Sequence, residues 1–262
     1  MKRNSLTLLL AAAGMLLAGM QTTKAQKIVL HMAGNQTFEC SISQLDSITF
    51  VGEDLIIEEE HEWVDLGLPS GTLWATCNVG ANSPEEYGDY FAWGETKPKS
   101  NYDWSTYKYC MGEYNMLTKY CSNSSFGNNG LTDNLTELEP ADDAATANWG
   151  IGWQMQSNEQ MEELCNNTII VWTTQEGTNG ILLTSKNDSN SSIFIPAAGW
   201  HDDKSINDGK ESSVHLWSRS LNLSNSVEAC RCYFTGFDEN LYIDSARRYI
   251  GRSVRPVRVK TR

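Results

Sequence analysis

Trp149-Gly150-Ile151-Gly152-Trp153-Gln154-Met155-Gln156-Ser157-Asn158-Glu159-Gln160-Met161-Glu162-Glu163-Leu164 is the stretch that decides how this chain is read. A segment rich in Trp and Gly runs directly into an amphipathic helix. Ser157 and Gln160 stand three apart, the spacing of a capping box, in which hydroxyl and amide satisfy backbone groups left open by a first helical turn. Met161, Leu164 and Cys165 then share one face at helical spacing.

Upstream of it, Pro140 starts a first short helix through about Ala147, with Asp142 and Asp143 placed against its dipole. Downstream the pattern is strand and turn: Ile169 to Thr173, Gly180 to Ser185, Ser192 to Ala197, Leu216 to Leu221, Cys230 to Phe234 and Gly251 to Val259. Alternation from Arg252 to Val259 suits a half-buried strand, and Pro256 puts it at a sheet edge or bulge. Further back, Trp63 to Leu68 and Thr72 to Ala75 flank the turn Pro69-Ser70-Gly71, and Tyr87 to Gly94 is a strand-like aromatic run. Residues 96–136 lack periodicity, but Tyr102, Trp104, Tyr107, Tyr109, Tyr114 and Tyr120 favour ordered packing over disorder. Two short helices, twisted antiparallel sheets and long loops make an α+β domain.

Residues 1–25 read as a secretory signal: Lys2 and Arg3, an apolar core from Leu6 to Met20, then Thr23-Lys24-Ala25. The apolar run falls short of the about 20 residues a spanning helix needs. No Cys at the cleavage point offers a lipid acceptor. The expected protein is secreted, periplasmic or on the cell surface, with no membrane insertion after cleavage. Residues 26–58 form a small N-terminal β segment, with strands Lys27 to Met32 and Thr37 to Ile42, a third short strand from Leu45 to Phe50, and the acidic linker Glu58-Glu59-Glu60. Residues 59–262 form the main domain.

After cleavage, 17 basic residues stand against 33 acidic ones, a net charge of −16. Such a surface repels phosphate backbones and anionic lipid, so nucleic acid is not an expected partner. Seven basic residues crowd the last segment, from Arg247 to Arg262, and their plainest role is to offset acidic neighbours. Nine Trp and ten Tyr either fill a core between irregular loops or line a binding face. Seven Cys is an odd number, and Cys110 with Cys121 is the best candidate disulfide, against free buried thiols as the alternative.

Five motifs, in order, carry a resemblance. Trp63 to Ala75, Tyr87 to Thr96, Asp142-Asp143-Ala144-Ala145, Ile193 to Gly199 and Gly251 to Val257 together resemble the Fibrobacter succinogenes major paralogous domain family of exported Bacteroidetes proteins. That likeness spans about residues 62–259. It implies a C-type-lectin-like fold, shared with formylglycine-generating enzymes. In that family a Trp-Arg-Leu-Pro-Thr-type segment opens the second helix; here Gln154 replaces the Arg and Gln156 the Pro. The enzyme relatives use a copper-binding Cys pair, whose spacing Cys230 and Cys232 do not match.

His31, His61, His201 and His215 are scattered, and no nucleophile elbow, phosphate loop or paired-Cys zinc spacing appears. Asp203 to Gly209 loosely resembles a calcium loop, but its Gly is one place late and the distal acid is missing. No cofactor is expected, with calcium a weak alternative. Two functions remain. One is a non-catalytic binding or adhesion module that reads a glycan or extracellular protein through Trp200, His201, Asp202, Asp203 and Trp217; core packing is the competing reading of both Trp residues. The other is an extracellular hydrolase with dispersed carboxylates.

Overall fold

In a computed structural model of the chain, both halves of the capping box form. The Ser157 Oγ accepts from Gln160 N at 3.2 Å, and Gln160 Oε1 accepts from Ser157 N at 2.9 Å. The structure describes residues 27–32, 36–41, 61–202, 209–236 and 238–259. The signal segment, the third leader strand and the acidic linker lie outside them. The chain divides into two units, Met1–Ile56 and Ile57–Arg262.

In the first unit, β1 (Lys27–Met32) and β2 (Gln36–Ser41) pair antiparallel, from Lys27 opposite Ser41 to Met32 opposite Gln36. The expected hairpin forms, with its second strand one residue early.

The second unit is α+β: two α-helices and three small antiparallel sheets joined by long ordered loops. Chain order is β3 (Trp63–Asp65), β4 (Thr72–Ala75), α1 (Ala144–Trp149), β5 (Gln154–Met155), α2 (Asn158–Asn167), β6 (Thr168–Gln175), β7 (Thr178–Ser185), β8 (Ser192–Pro196), β9 (Ser213–Leu221), β10 (Glu228–Thr235), β11 (Asp238–Arg247) and β12 (Pro256–Val259). The sheets run β3-β4-β12-β5, β6-β7-β8 and β11-β10-β9. Among the described residues no helix is long and apolar enough to cross a membrane.

Several expectations change. The run Tyr87 to Gly94 makes one isolated bridge, Phe91 to Arg252, instead of a strand. The first helix divides into a 3-10 turn, Pro140–Asp142, and α1. Asp143 caps α1 by accepting from Thr146 N at 3.0 Å, and its other oxygen accepts from Met155 N at 2.8 Å, which ties the helix to β5. Gly150 ends α1 at φ 93, a conformation open to glycine and strained for other residues. The terminal strand begins only at Pro256. It lies inside its sheet, between β4 and β5, and Pro256 is tolerated as the strand's first residue.

The irregular region is ordered through its aromatics, as its composition suggested: Tyr102, Tyr107, Tyr109 and Tyr120 are buried in one cluster with Phe91, Trp93 and Trp217. Asp142 sits there too, at the end of the 3-10 turn just before the α1 cap, bonded by Lys119 (2.6 Å), Lys108 (3.2 Å), Tyr120 (2.8 Å) and Tyr109. Cys110 and Cys121 are free thiols, not a disulfide. They point at different backbone carbonyls, Cys110 at Trp104 O and Cys121 at Asn123 O.

The basic terminal segment is the largest correction. Arg248 and Arg255 are fully buried, and carbonyl oxygens, not acids, receive them. Arg248 donates to Tyr120 O, Ser226 O, Lys119 O and Tyr107 Oη. Arg255 donates to Ala75 O, Thr76 O, Phe194 O and Asn78 Oδ1.

Two outcomes test this packing. Ser157→Ala lowers stability by about 1 kcal/mol in urea denaturation, the worth of an N-cap. Burial opposes the Asp142 charge, but Lys119, Tyr109, Tyr120 and Lys108 together outweigh it and hold the carboxyl down at about 2, against an ordinary 3.8. A lowered carboxyl stabilises the fold above its unfolded value and loses that effect as pH falls through the folded one. The stability gap between wild type and Asp142→Asn therefore shrinks as pH drops from about 4 to about 2, which acid titration of urea midpoints measures.

Candidate functional site

The sheet β11-β10-β9 has two unlike faces, and strand alternation dictates both. On the inner face Cys232 lies opposite Leu216 and Ile243, and Phe234 opposite Val214 and Leu241. These side chains join Met161 and Leu164 of α2 in a second apolar cluster. The outer face carries Arg231 opposite Trp217 and Asp244, Tyr233 opposite His215 and Tyr242, and Thr235 opposite Ser213.

At one end the outer face is closed, because Trp217 is buried in the aromatic cluster. Its middle is open and borders a cavity of about 830 Å³. Trp200, Asp202 and Gly209 form one wall, and Arg247, Tyr249 and Arg252 another. The backbone holds these walls in place. His201 and Gly251 exchange both backbone bonds, at 2.9 and 2.8 Å, as do Phe91 and Arg252, at 2.9 and 3.0 Å. Gly251 must stay glycine, since a Cβ there would lie 2.7 Å from the Tyr102 ring.

The floor is a connected row. Tyr233 stacks between His215 (centroids 5.8 Å apart) and Tyr242 (5.1 Å). The guanidinium of Arg231 lies 4.5 Å over the Tyr233 ring, donates twice to Asp244 (2.7 and 3.2 Å) and donates to His215 Nδ1 at 2.7 Å. Trp200 presses edge-on against His215 at 4.7 Å.

Those bonds fix the imidazole. An Arg can only donate, so Nδ1 is the acceptor, and Nε2 carries the hydrogen toward Ser213 Oγ at 3.1 Å. Burial, and then the charges of Arg252 and Arg231, push the His215 pKa far below its ordinary 6.5. Accepting from Arg231 at Nδ1 requires the neutral ring, and the lowered pKa favours that form. Arg252 is itself buried beside the cavity, and burial pushes its pKa well below the usual guanidinium value.

Of the residues expected to bind, Trp200 and Asp202 line the cavity. Trp217 does not: it is fully buried, and its indole N–H donates to Phe91 O at 2.8 Å, so it is core. The His201 ring packs against Tyr90 at 4.1 Å and is not part of the lining. Asp203 and most of the calcium-like loop lie outside the described residues. Among the described residues no group of three or more His, Cys, Asp or Glu is placed to hold a metal. Sequence reasoning missed His215, Arg231, Tyr233 and Arg252. The one available signal was the alternation of Arg231, Tyr233 and Thr235 against Cys232 and Phe234.

No family model, no curated protein and no solved structure matches this chain. The cavity is therefore read from its own chemistry: aromatic rings, three guanidiniums, and the carboxylates of Asp202 and Glu228. Glu228 is engaged, accepting from Asn222 at 3.2 Å and from Ser245.

A lowered imidazole pKa makes the unfolded chain bind the proton first, so stability declines as pH falls below 6.5. His215→Gln removes that part of the slope between pH 6.5 and 5, measured as urea midpoints against pH.

Proposed function

We propose that this chain is an exported, non-catalytic binding or adhesion module that recognises a glycan or an extracellular protein at the cavity beside β9 and β10. The observation that carries this reading is the open recess whose walls combine Trp200, Tyr233 and Tyr249 with fixed polar groups. Aromatic faces flanked by hydrogen-bonding groups suit a ligand with an apolar ring face and a polar rim.

The N-terminal charge and apolar pattern supports export, and the main domain is proposed to be C-type-lectin-like, a branch of the Fibrobacter major paralogous family. Two helices, three small antiparallel sheets and long loops agree with that proposal at the level of α+β architecture. The departures from the family segment fall on residues with definite local roles. Gln154 pairs through β5 with Val257, and Gln156 is buried, with its amide donating to Trp217 O at 2.9 Å. The partner is extracellular, and no nucleic acid is expected.

A glycan and protein array run beside a hydrolase screen tests the reading. The expected result is binding without turnover, weakened about tenfold by Trp200→Ala, a loss of about 1.4 kcal/mol. Hydrolysis abolished by Asp202→Asn or Glu228→Gln would instead establish the carboxylate hydrolase.

A further inference from the structure

Three arginines of the terminal segment are buried, and they differ in one respect. Arg248 and Arg255 each have four protein acceptors. Arg252 is only 3% exposed, and its Nε and Nη1 are buried without a hydrogen-bond partner among the described residues. The guanidinium lies 5.1 Å over the Trp217 ring, a contact that accepts no hydrogen bond directionally. It is also the one of the three that lines the cavity.

A buried guanidinium without an anion is costly, and proteins ordinarily satisfy such donors. Its main chain is fixed, since both the N–H and the C=O of Arg252 are bonded to Phe91. Arg231 is committed to Asp244 and His215. His215 is neutral and has its Nδ1 occupied by Arg231, so it offers no charge. Glu228 is held by Asn222 and Ser245. Asp202 and Arg247 complete the charged lining, with Arg247 exposed at the rim.

We infer that the cavity takes an acidic saccharide, a sugar ring bearing a carboxylate, and that Arg252 receives the carboxylate with Arg247 as a second, outer cation. This rests on the binding-module reading and specifies its ligand. Carboxylate matches the planar donor fork of a guanidinium. A sugar rather than an acidic peptide is favoured because the cavity places the rings of Trp200 and Tyr233 beside Glu228, whose Oε2 is taken by Asn222 and Ser245 and whose Oε1 can accept a sugar hydroxyl. Sugar hydroxyls donate to such an acceptor, whereas an acidic peptide would set its own carboxylates against it.

The test is titration calorimetry of the purified chain against oligogalacturonate, oligomannuronate, a glucuronate-containing oligosaccharide and sialyllactose. Each acid is compared with its methyl ester and with a neutral counterpart, and poly-glutamate provides the peptide arm. At least one acid is expected to bind, with its ester weaker by about tenfold to a hundredfold, as for loss of a hydrogen-bonded charge. Arg252→Gln should show a similar loss. Because that residue is buried, Arg247→Gln serves as the variant whose fold is not at stake, with an expected loss of several-fold. An acid and its ester bound equally, or binding indifferent to both substitutions, overturns the acidic-ligand inference and leaves the binding module standing. Poly-glutamate bound in place of every saccharide overturns the choice of a sugar. Failure of every ligand here and on the wider array overturns both readings.

Discussion

Backbone carbonyls gathered around Arg248 and Arg255 are the constraint on which this fold depends. Each guanidinium stands where several loops would otherwise end in unpaired carbonyl groups. Arg248 joins the turn at Lys119 and Tyr120 to Ser226, residues more than 100 positions apart in the chain. Arg255 joins the end of β4 to Phe194 of β8, and so links two sheets. A domain with so much irregular backbone must satisfy many buried carbonyls outside regular ladders, and an arginine with five donors does this from one point. Removal of either would leave several acceptors dry at once.

The cavity follows from the same segment. Arg248, Arg252 and Arg255 are delivered along one short stretch that bridges Phe91, His201 and Trp217 through backbone bonds. Between those anchors, Arg252 lies buried beside the cavity. The unlike faces of the β9 to β11 sheet then divide the work: the inner face packs on α2, and the outer face holds a neutral histidine between an arginine and a serine. Residues close in sequence thus pack the core and line the cavity together, and the same alternation separates the two.

Legibility in the sequence tracked the range of the interaction. The capping box, the hairpin and most strands rest on contacts within a few residues, and those were readable. Strand β11 was missed because Asp238-Glu239-Asn240-Leu241 carries little hydrophobic alternation and pairs only because β10 lies alongside it. The Tyr87 to Gly94 run was mistaken for a strand because its aromatics signal burial, and burial here means insertion between loops. Cys110 and Cys121 looked bridgeable by loop length, yet each faces its own carbonyl. Only Trp200 and Asp202 of the candidate site were visible as loop residues, while the floor lay hidden inside strands.

The sequence by itself determined the α+β class, the position of the second helix and its cap, and the ordered nature of a long aromatic loop. All of these follow from short-range periodicity, side-chain hydrogen-bonding rules and aromatic content. Only the tertiary structure decided where the positive charges go, because the partners of Arg248 and Arg255 are carbonyls on distant loops and carry no side-chain signature. It also decided that two buried donors of Arg252 are left unmet among the described residues, since an unmet donor is a property of the space around a residue.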